Sequence, residues 1–299
     1  MAELHGRGRS RLTVSRYAHT WAAFERWMGE AGIAHPFDAT LTEMQAFATR
    51  PAHHRGHPNH PRAAASIKND VNALRSFYRW AFENEHTRKN KALALHGPKV
   101  QNRNPKPVPL ESWQRIVESN LDDSLRLALY LGYFAGLRRH EILALAPEQV
   151  NAKTITDVLR KGGDDDHTIP WLEMYELLQV CVPEVCVGEE YPELMERYAK
   201  SESHWLIPWG DEHYGPHMDS MNKRMTSLSR RLHIPQVTPH MLRHSCATNL
   251  ASTTIDPKAL MYYLNHSDMN VTMRYVKMSG GLAAKMARDI MREHRERRG

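Results

Sequence analysis

Apolar residues recur at intervals of three and four along much of the chain, which is the spacing of one face of an α-helix. In the first hundred residues this pattern predicts helices at Thr13–Glu30, Leu41–Ala48 and Ala64–Asn84. Beyond them it predicts helices at Ser112–Ser119, Ser124–Phe134, Trp171–Gln179, Ser220–Leu232, Pro239–Ala251, Pro257–Leu264 and Leu282–Arg297. We therefore expect a mainly α-helical fold.

Residues 50–62 (RPAHHRGHPNHPR) interrupt the helical pattern with prolines and a glycine, which predicts a loop. His53, His54, His57 and His60 within it could bind a metal ion. No cysteine or carboxylate lies among them, so a solvated loop is the preferred interpretation.

Two further segments suggest how the chain is divided. Between Val150 and Pro170, β-branched residues flank a Gly-Gly-Asp turn, which predicts a hairpin and a small β-sheet. Residues 98–109 (PKVQNRNPKPVP) hold four prolines and indicate an extended linker. We expect one domain over residues 1–97 and a second over residues 110–299.

Composition excludes some classes of protein. Of the 299 residues 41% are hydrophobic and 25% are charged, as in ordinary soluble proteins. No stretch approaches the roughly 18 apolar residues of a membrane span, and the first residues lack the apolar core of a secretion signal. Three cysteines, Cys181, Cys186 and Cys246, are too few for a disulfide framework. We expect a cytoplasmic protein with no membrane partner.

Charge is distributed unevenly. Residues 1–109 carry 17 Lys or Arg against 8 Asp or Glu, whereas the remainder carries 23 against 26. This asymmetry favours a polyanion as partner, with nucleic acid first, although a basic surface can also serve solubility alone. The candidate DNA contacts are basic residues near the predicted helix Ala64–Asn84 and in the linker: Lys68, Arg75, Arg79, Lys99, Arg103 and Lys106.

The segment TPHMLRHSCATNL, residues 238–250, has the features of a phosphate-binding helix start. Thr238 is suited to cap the helix, and His240 and Arg243 then lie on one face of its first turns. Free N–H groups and the helix dipole add to these side chains in binding an anion. His240 and His244 also have a spacing that can bind zinc, but Met241 stands where a metalloprotease has glutamate, so this reading is disfavoured.

Two other segments carry candidate chemistry. In FAGLRRHEILAL, residues 134–145, Glu141 is placed to orient Arg138 so that its guanidinium presents two donors to a phosphate. In LNHSDMNVTMRYVKMS, Tyr275 follows His266 by nine residues in a polar segment. Because a free phenol has a pKa of about 10, a reactive tyrosine needs help from its neighbours.

These motifs resemble the tyrosine recombinase (phage integrase) family. GLRRHE, a hairpin lysine at Lys161, HMLRH, LNH and RY occur in the order and spacing of that family. The similarity covers about residues 106–299, and the N-terminal helices look like the core-binding domain of the family. The resemblance implies a two-domain tyrosine recombinase architecture, with a helical core-binding domain and an integrase-type catalytic domain.

The resemblance also implies a role for each matching residue. Tyr275 would attack the scissile DNA phosphate and form a 3′-phosphotyrosyl link. Arg138 and Arg243 would bind the non-bridging phosphate oxygens, and His240 and His266 would hydrogen-bond to the phosphate. Which of the two histidines takes the tyrosine proton stays open.

Three more residues complete the site that the resemblance implies. Lys161 would protonate the leaving 5′-oxygen, although Lys153 and Arg160 are neighbours with which it could be confused. Glu141 would orient the first arginine, and His244 is a supporting residue. Asn265 stands where the family usually has glycine before the histidine, and asparagine tolerates unusual backbone angles.

The predicted activity is site-specific recombination without metal or ATP. Fixed cations can stabilise phosphoryl transfer, no carboxylate cluster suited to magnesium lies beside these motifs, and no P-loop pattern is present. Partners would be double-stranded DNA core sites, other protomers in a tetramer, and a directionality factor. The basic tail after Ser279 would dock on a neighbouring protomer or pack on its own domain.

Several alternatives to this function are compatible with the sequence. Phage integration is preferred because compact, basic integrases are common among phage members of the family. Resolution of chromosome or plasmid dimers is the alternative function within the family. A type IB topoisomerase uses similar groups but needs no partner protomer. A DNA-binding regulator with a dead catalytic site is the alternative from another class.

Overall fold

The computed structural model describes residues 11–54, 57–100, 104–158, 167–186, 190–211, 215–253 and 255–279. The chain divides into two compact units, Met1–Arg103 and Asn104–Gly299. Among the described residues, no helix combines the length and the apolar character needed to cross a membrane.

The N-terminal unit contains three helices, α1 (Arg11–Glu30), α2 (Leu41–Thr49) and α3 (Ala64–Glu83). Thr40 and Glu43 close a capping box at the start of α2, because each side chain binds the backbone N–H of the other residue. The helices bury one apolar core, made of Phe24, Met28, Ala39, Met44, Phe47, Ala48, Val71, Leu74, Tyr78, Ala92 and Leu95. The helical pattern of the sequence is thus confirmed for this unit.

Part of the predicted loop at residues 50–62 is instead a β-hairpin. Strand β1 (Ala52–His54) pairs antiparallel with β2 (His57–His60). Both ends of the hairpin are fixed by ion pairs to one carboxylate, since Arg50 and Arg62 bind Asp70 of α3 at 2.9 and 2.6 Å. The side chains of the four histidines, for which a solvated loop was preferred over a metal site, lie outside the described part of the structure.

Asp70 is the buried electrostatic centre of this unit. It is 5% exposed and also accepts a 3.0 Å hydrogen bond from Thr20 of α1. Arg50 stacks its guanidinium 3.7 Å from the centre of the Phe47 ring. The carboxylate therefore joins α1, α3 and the hairpin, which no apolar periodicity could predict.

The second unit is also helical. Its helices are α4 (Leu110–Val117), α5 (Asp123–Tyr133), α6 (Arg139–Leu143), α7 (Trp171–Cys181), α8 (Glu190–Ala199), α9 (Met218–Arg231), α10 (Pro239–Ala251), α11 (Pro257–Tyr263) and α12 (Met269–Met278). Single 3₁₀ turns occur at Pro147–Gln149 and Pro183–Val185. The predicted helix at Leu282–Arg297 lies outside the described residues.

Helices α5 and α10 form the centre of this unit. All of Leu127–Tyr133 in α5 is buried, and Leu242, Cys246 and Leu250 of α10 are completely buried. Trp113 of α4 stacks on Tyr133 with ring centres 3.6 Å apart. Helices α11 and α12 both pack against α10, so the segment that carries Tyr275 is tied to the one that carries Arg243.

The small β-sheet predicted for this unit is not confirmed. The described residues of the second unit contain a hairpin of two short strands, β3 (Gly210–Asp211) and β4 (Gly215–Pro216). They also contain isolated β-bridges from Ile155 to Val150 and to Ile169. Ile155 and Ile169 exchange both backbone hydrogen bonds, at 2.9 and 2.8 Å. Residues 159–166, which include Arg160 and Lys161 and for which a turn was predicted, lie outside the described residues.

Candidate active site

Arg138 projects from the start of helix α6, immediately after a sharp turn. Gly136 has a φ of +66°, and a Cβ there would lie 2.8 Å from Leu264 Cδ2. The guanidinium of Arg138 donates a 2.7 Å hydrogen bond to one oxygen of Glu141, and its backbone N–H donates to the other oxygen at 2.7 Å. The Glu141 side chain is completely buried, so Arg138 has one fixed orientation.

Arg243 lies one turn into helix α10 and is 4% exposed. Thr238 caps this helix, accepting a hydrogen bond from Met241 N. Two backbone carbonyls orient the guanidinium, which donates to Gly136 O at 2.5 Å and to Leu264 O. The carbonyl of Gly136 belongs to the turn before Arg138, so the two arginines are held by one piece of backbone.

The two guanidinium groups line one open cleft. Its walls come from the start of α6, from α9 and from the start of α10: Arg138, Arg139, His140, Asn222, Gln236, Val237, Thr238, Pro239, His240 and Arg243. Arg139 is paired with Asp219 at 3.6 Å. Three arginines and two histidines, contributed by the starts of two helices, make this cleft suited to a phosphate group.

His240 and His244 follow each other on α10, with ring centres 4.1 Å apart. The pKa of His240 is lowered, first by partial desolvation and then by the charges of Arg243 and Arg138. Desolvation, the His240 ring and Arg243 lower the pKa of His244 to about 4. Both rings are therefore neutral at pH 7 and can accept a hydrogen bond. Among the described residues, no group of three or more metal-binding side chains was found.

Tyr275 lies in helix α12 and is 4% exposed. Its hydroxyl group is 2.6 Å from Nδ1 of His244. Burial raises the pKa of Tyr275, while the nearby charge of Arg243 opposes that rise. The raised pKa keeps the phenol protonated at neutral pH, and Tyr275 is buried outside the lining of the cleft.

His266 lies in the turn before α12. Its ring stacks on Tyr275, at 6.0 Å between ring centres and an angle of 13°. Its Nδ1 is 2.9 Å from the hydroxyl of Thr272, which is completely buried. Asn265 before it has a φ of +46°, in agreement with the unusual backbone angle expected at this position.

The structure thus brings together five of the six residues to which catalytic roles were assigned. Arg138, His240 and Arg243 share the cleft, while Tyr275 stacks on His266 and contacts His244 of the helix that carries His240 and Arg243. Lys161 lies outside the described residues. The neighbouring Lys153 is exposed, in a turn where its N–H binds Asn151 Oδ1.

The basic residues proposed to contact DNA differ in their surroundings. Lys68, Arg79 and Lys99 of the N-terminal unit and Lys106 of the second unit are exposed. Arg75 is half-buried and donates to Leu93 O at 3.3 Å. Arg103 lies outside the described residues.

Sequence reasoning missed two kinds of site residue and one contact of a residue that it had named. Arg139, Asn222 and Gln236 line the cleft, but only Arg139 had a signal, as a second basic residue beside Arg138. Thr272 was missed because it resembles any polar residue of a short helix. His244 was expected to support the site, yet its direct contact with Tyr275 needed the packing of α12 on α10.

Two family models match this chain. The model of the phage integrase family matches residues 114–280, and that of the phage integrase N-terminal SAM-like domain matches residues 3–85. The first match includes every residue assigned a catalytic role, and together the two matches cover most of both units.

Individual relatives share this fold or family at low sequence identity. The tyrosine recombinase XerC of Xylella fastidiosa is 26% identical over 283 residues, which cover 91% of this chain and 88% of the relative. A lambda integrase dimer bound to a COC' core site has a similar fold, with a TM-score of 0.63 and 17% identity over 92% of this chain and 74% of that one. XerH bound to its difH substrate gives a TM-score of 0.61 at 17% identity, covering 90% and 78%.

The family match spans more than half of the chain and includes the arginines, histidines and tyrosine of the site. The solved structures share the mainly helical two-domain architecture. The chain therefore belongs to the phage integrase family, the family of the tyrosine recombinases.

Proposed function

We propose that this protein is a site-specific DNA recombinase that cleaves and rejoins strands through a 3′-phosphotyrosyl intermediate at Tyr275. The observation that carries the proposal is the contact between Tyr275 and helix α10. That helix holds the phenol through His244 and also carries His240 and Arg243 in the adjoining cleft. Within one subunit, this helix connects the proposed nucleophile to the proposed phosphate-binding cleft.

Each group has a definite place in the proposed reaction. Arg138 and Arg243 bind the two non-bridging oxygens of the scissile phosphate, and they stabilise the charge that develops on it. The Tyr275 oxygen attacks phosphorus as the bond to the 5′-oxygen breaks. Lys161 donates a proton to that 5′-oxygen.

The surroundings of the phosphate complete this arrangement. His240, exposed at the edge of the cleft, and His266 hydrogen-bond to the phosphate. Glu141 acts through Arg138, whose guanidinium and backbone it holds. The covalent intermediate retains the energy of the broken bond, so a 5′-hydroxyl reverses the step without ATP, and the cationic side chains take the part of a metal ion.

Attack requires a change at Tyr275. The side chain is 4% exposed and lies outside the lining of the cleft, whereas in-line attack needs the oxygen about 3 Å from phosphorus. A shift of α12 towards the cleft that keeps the Tyr275 hydroxyl beside His244 supplies this approach. We propose that DNA binding triggers the shift, so that the free protein does not cleave at random.

The substrate is double-stranded DNA at core-type sites. Exposed Lys68, Arg79 and Lys99 of the N-terminal unit would contact phosphates, and Lys106 would do so at the start of the second unit. Related folds have been solved on DNA, as a lambda integrase dimer on a core site and as XerH on difH. A tetramer acting on two duplexes in a bacterial cytoplasm is the assembly we propose, with an accessory factor setting direction.

Integration of a phage genome is the first biological role we propose, and dimer resolution is the second. The likeness to lambda integrase accords with the first role. The second is favoured by curated relatives named XerC. Recombination between sites on separate plasmids or between repeats on one plasmid distinguishes these roles.

The first experiment finds the target. The wild-type protein and a Tyr275→Phe variant are expressed in bacteria that carry candidate DNA, cells are lysed in detergent with EDTA, and DNA that remains bound to protein is sequenced. Enrichment of one short site by the wild type alone supports the proposal. Adducts at random sites, with relaxation of plasmids that lack the site, would indicate a topoisomerase instead.

A further inference from the structure

We propose that His244 is a catalytic residue, whose Nδ1 orients the Tyr275 hydroxyl and accepts its proton as the oxygen attacks phosphorus. The inference rests on the proposed function, in which Tyr275 is the nucleophile. It assigns the proton to a third histidine, besides His240 and His266 for which the role was open.

The geometry of the pair carries the inference. The Tyr275 oxygen and His244 Nδ1 are 2.6 Å apart, which is at the short end of the range for a hydroxyl donor. The other two histidines have different partners. Nδ1 of His266 is bound to Thr272, and His240 stands at the cleft with its ring against that of His244.

The protonation states fix the direction of this hydrogen bond. Burial, His240 and Arg243 lower the pKa of His244 to about 4, so its ring is neutral at pH 7. Burial raises the pKa of Tyr275 above its usual value, so the phenol keeps its proton. The hydroxyl therefore donates and Nδ1 accepts, which leaves one oxygen lone pair directed away from the imidazole.

Binding of a DNA phosphate would make the His244 imidazole a stronger base. In the free protein, the cleft holds the positive charge of Arg243 beside His244 and so disfavours an imidazolium ion. A DNA phosphate between Arg138 and Arg243 brings a negative charge that offsets this effect. His244 then becomes a better base only when substrate is in place, and covalent attack is coupled to DNA binding.

The proton balance of the step is complete. The O–H bond of Tyr275 breaks, its proton moves to His244 Nδ1, and the oxygen forms the bond to phosphorus as the 5′-oxygen leaves. In rejoining, a 5′-hydroxyl attacks phosphorus and His244 returns the proton to the departing Tyr275. The titratable or charged groups that act on the pair are His240, His266, Arg138, Arg243, Cys246 and Arg274.

Two substitutions of His244 test which of its ring nitrogens is needed. In His244→Asn the side-chain amide reaches the position of Nδ1, whereas in His244→Gln it reaches that of Nε2. General base catalysis contributes about 10²–10⁴-fold. We measure adduct formation in single-turnover reactions on a nicked form of the DNA site that the covalent-trapping experiment identifies. We expect His244→Gln, which has no acceptor at the position of Nδ1, to slow adduct formation about 100-fold or more. His244→Asn keeps an acceptor there and should slow it about tenfold. Equal rates in both variants and the wild type would overturn the inference.

A second measurement distinguishes proton transfer from a structural role. Difluorotyrosine at position 275 is more acidic than tyrosine and needs less help to ionise. It should restore adduct formation to His244→Gln by about tenfold or more, with DNA affinity unchanged, and absence of rescue would contradict the proposal. Tyr275→Phe is included throughout, because an adduct formed by that variant refutes the proposed function itself rather than the role of His244.

Discussion

Arg138 and Glu141 form a closed pair at the start of helix α6. One carboxylate oxygen accepts the guanidinium of Arg138 and the other accepts its backbone N–H, both at 2.7 Å. The Glu141 side chain is completely buried, whereas that of Arg138 is 34% exposed. A carboxylate that cannot reach water thus fixes an arginine that can reach a ligand.

This pair predicts different results for two substitutions of Glu141. Glu141→Ala removes both acceptors and should lower the free energy of unfolding by about 1–3 kcal/mol. Misplacement of Arg138 should slow adduct formation about 100-fold. Glu141→Gln keeps one acceptor and should lose less in both urea unfolding and cleavage rate. Equal cleavage by Glu141→Ala and wild type would show that Arg138 needs no such support.

A substitution at Gly136 tests the turn that precedes Arg138 and binds Arg243 through its carbonyl group. Gly136→Ala would place a methyl group 2.8 Å from Leu264 Cδ2 and 3.0 Å from Cys246 Sγ at a φ of +66°. Backbone strain and overpacking should each cost about 1–3 kcal/mol. Gly32→Ala is the matched control, since Gly32 has a φ of +71° and open space around it. Thermal unfolding should show the larger loss for Gly136→Ala, and equal losses would exclude the steric contribution.

The buried Asp70 should stabilise the N-terminal unit far more than a surface ion pair does. Asp70→Ala leaves Arg50 and Arg62 without their shared carboxylate, and breaking a buried pair costs about 3–5 kcal/mol. Glu196→Ala, which removes an exposed partner of Lys200, is the control and should cause no measurable change in melting temperature. A melting temperature unchanged by Asp70→Ala would mean that the cluster contributes nothing.

The exposed basic residues of helix α3 predict a change in the salt dependence of DNA binding. Each lost phosphate contact lowers the slope of log K against log salt concentration by about 0.9. The double variant Lys68→Ala with Arg79→Ala should therefore lower the slope by about 2, as measured by fluorescence anisotropy at several salt concentrations. Lys200→Ala, an exposed lysine paired with Glu196, should leave the slope unchanged. An unchanged slope in the double variant would show that Lys68 and Arg79 do not contact DNA phosphates.

Most helices could be predicted because their buried faces are apolar. The prediction Pro239–Ala251 coincides with α10, and the other confirmed helices differ from prediction by a few residues at their ends. Helix α12 was missed because its buried residues are Thr272 and Tyr275, which give no apolar stripe. Helix α8 had a signal in Tyr191, Leu194 and Met195, but Pro192 in its first turn resembled a helix breaker.

The candidate site was predictable as residue types but not as contacts. Spacing along one helix suggested that His240 and Arg243 share a face, and a three-residue step suggested the pair of Arg138 with Glu141. Contacts between distant segments gave no such signal. The hydrogen bond between His244 and Tyr275 joins residues 31 apart, and the bond from Arg243 to Gly136 O joins residues 107 apart. Both depend on how α5, α10 and α12 pack.

The most direct test of the central claim is to identify the residue that becomes linked to DNA. Trypsin cleaves after Arg274 and Lys277, so residues 275–277 form the tripeptide Tyr-Val-Lys, in which the phenol is the one side-chain hydroxyl. Mass spectrometry of nuclease-trimmed and trypsin-digested wild-type adduct should find the nucleotide on this tripeptide, joined through a 3′-phosphate. A nucleotide on any other peptide, or a linkage through a 5′-phosphate, would contradict the account.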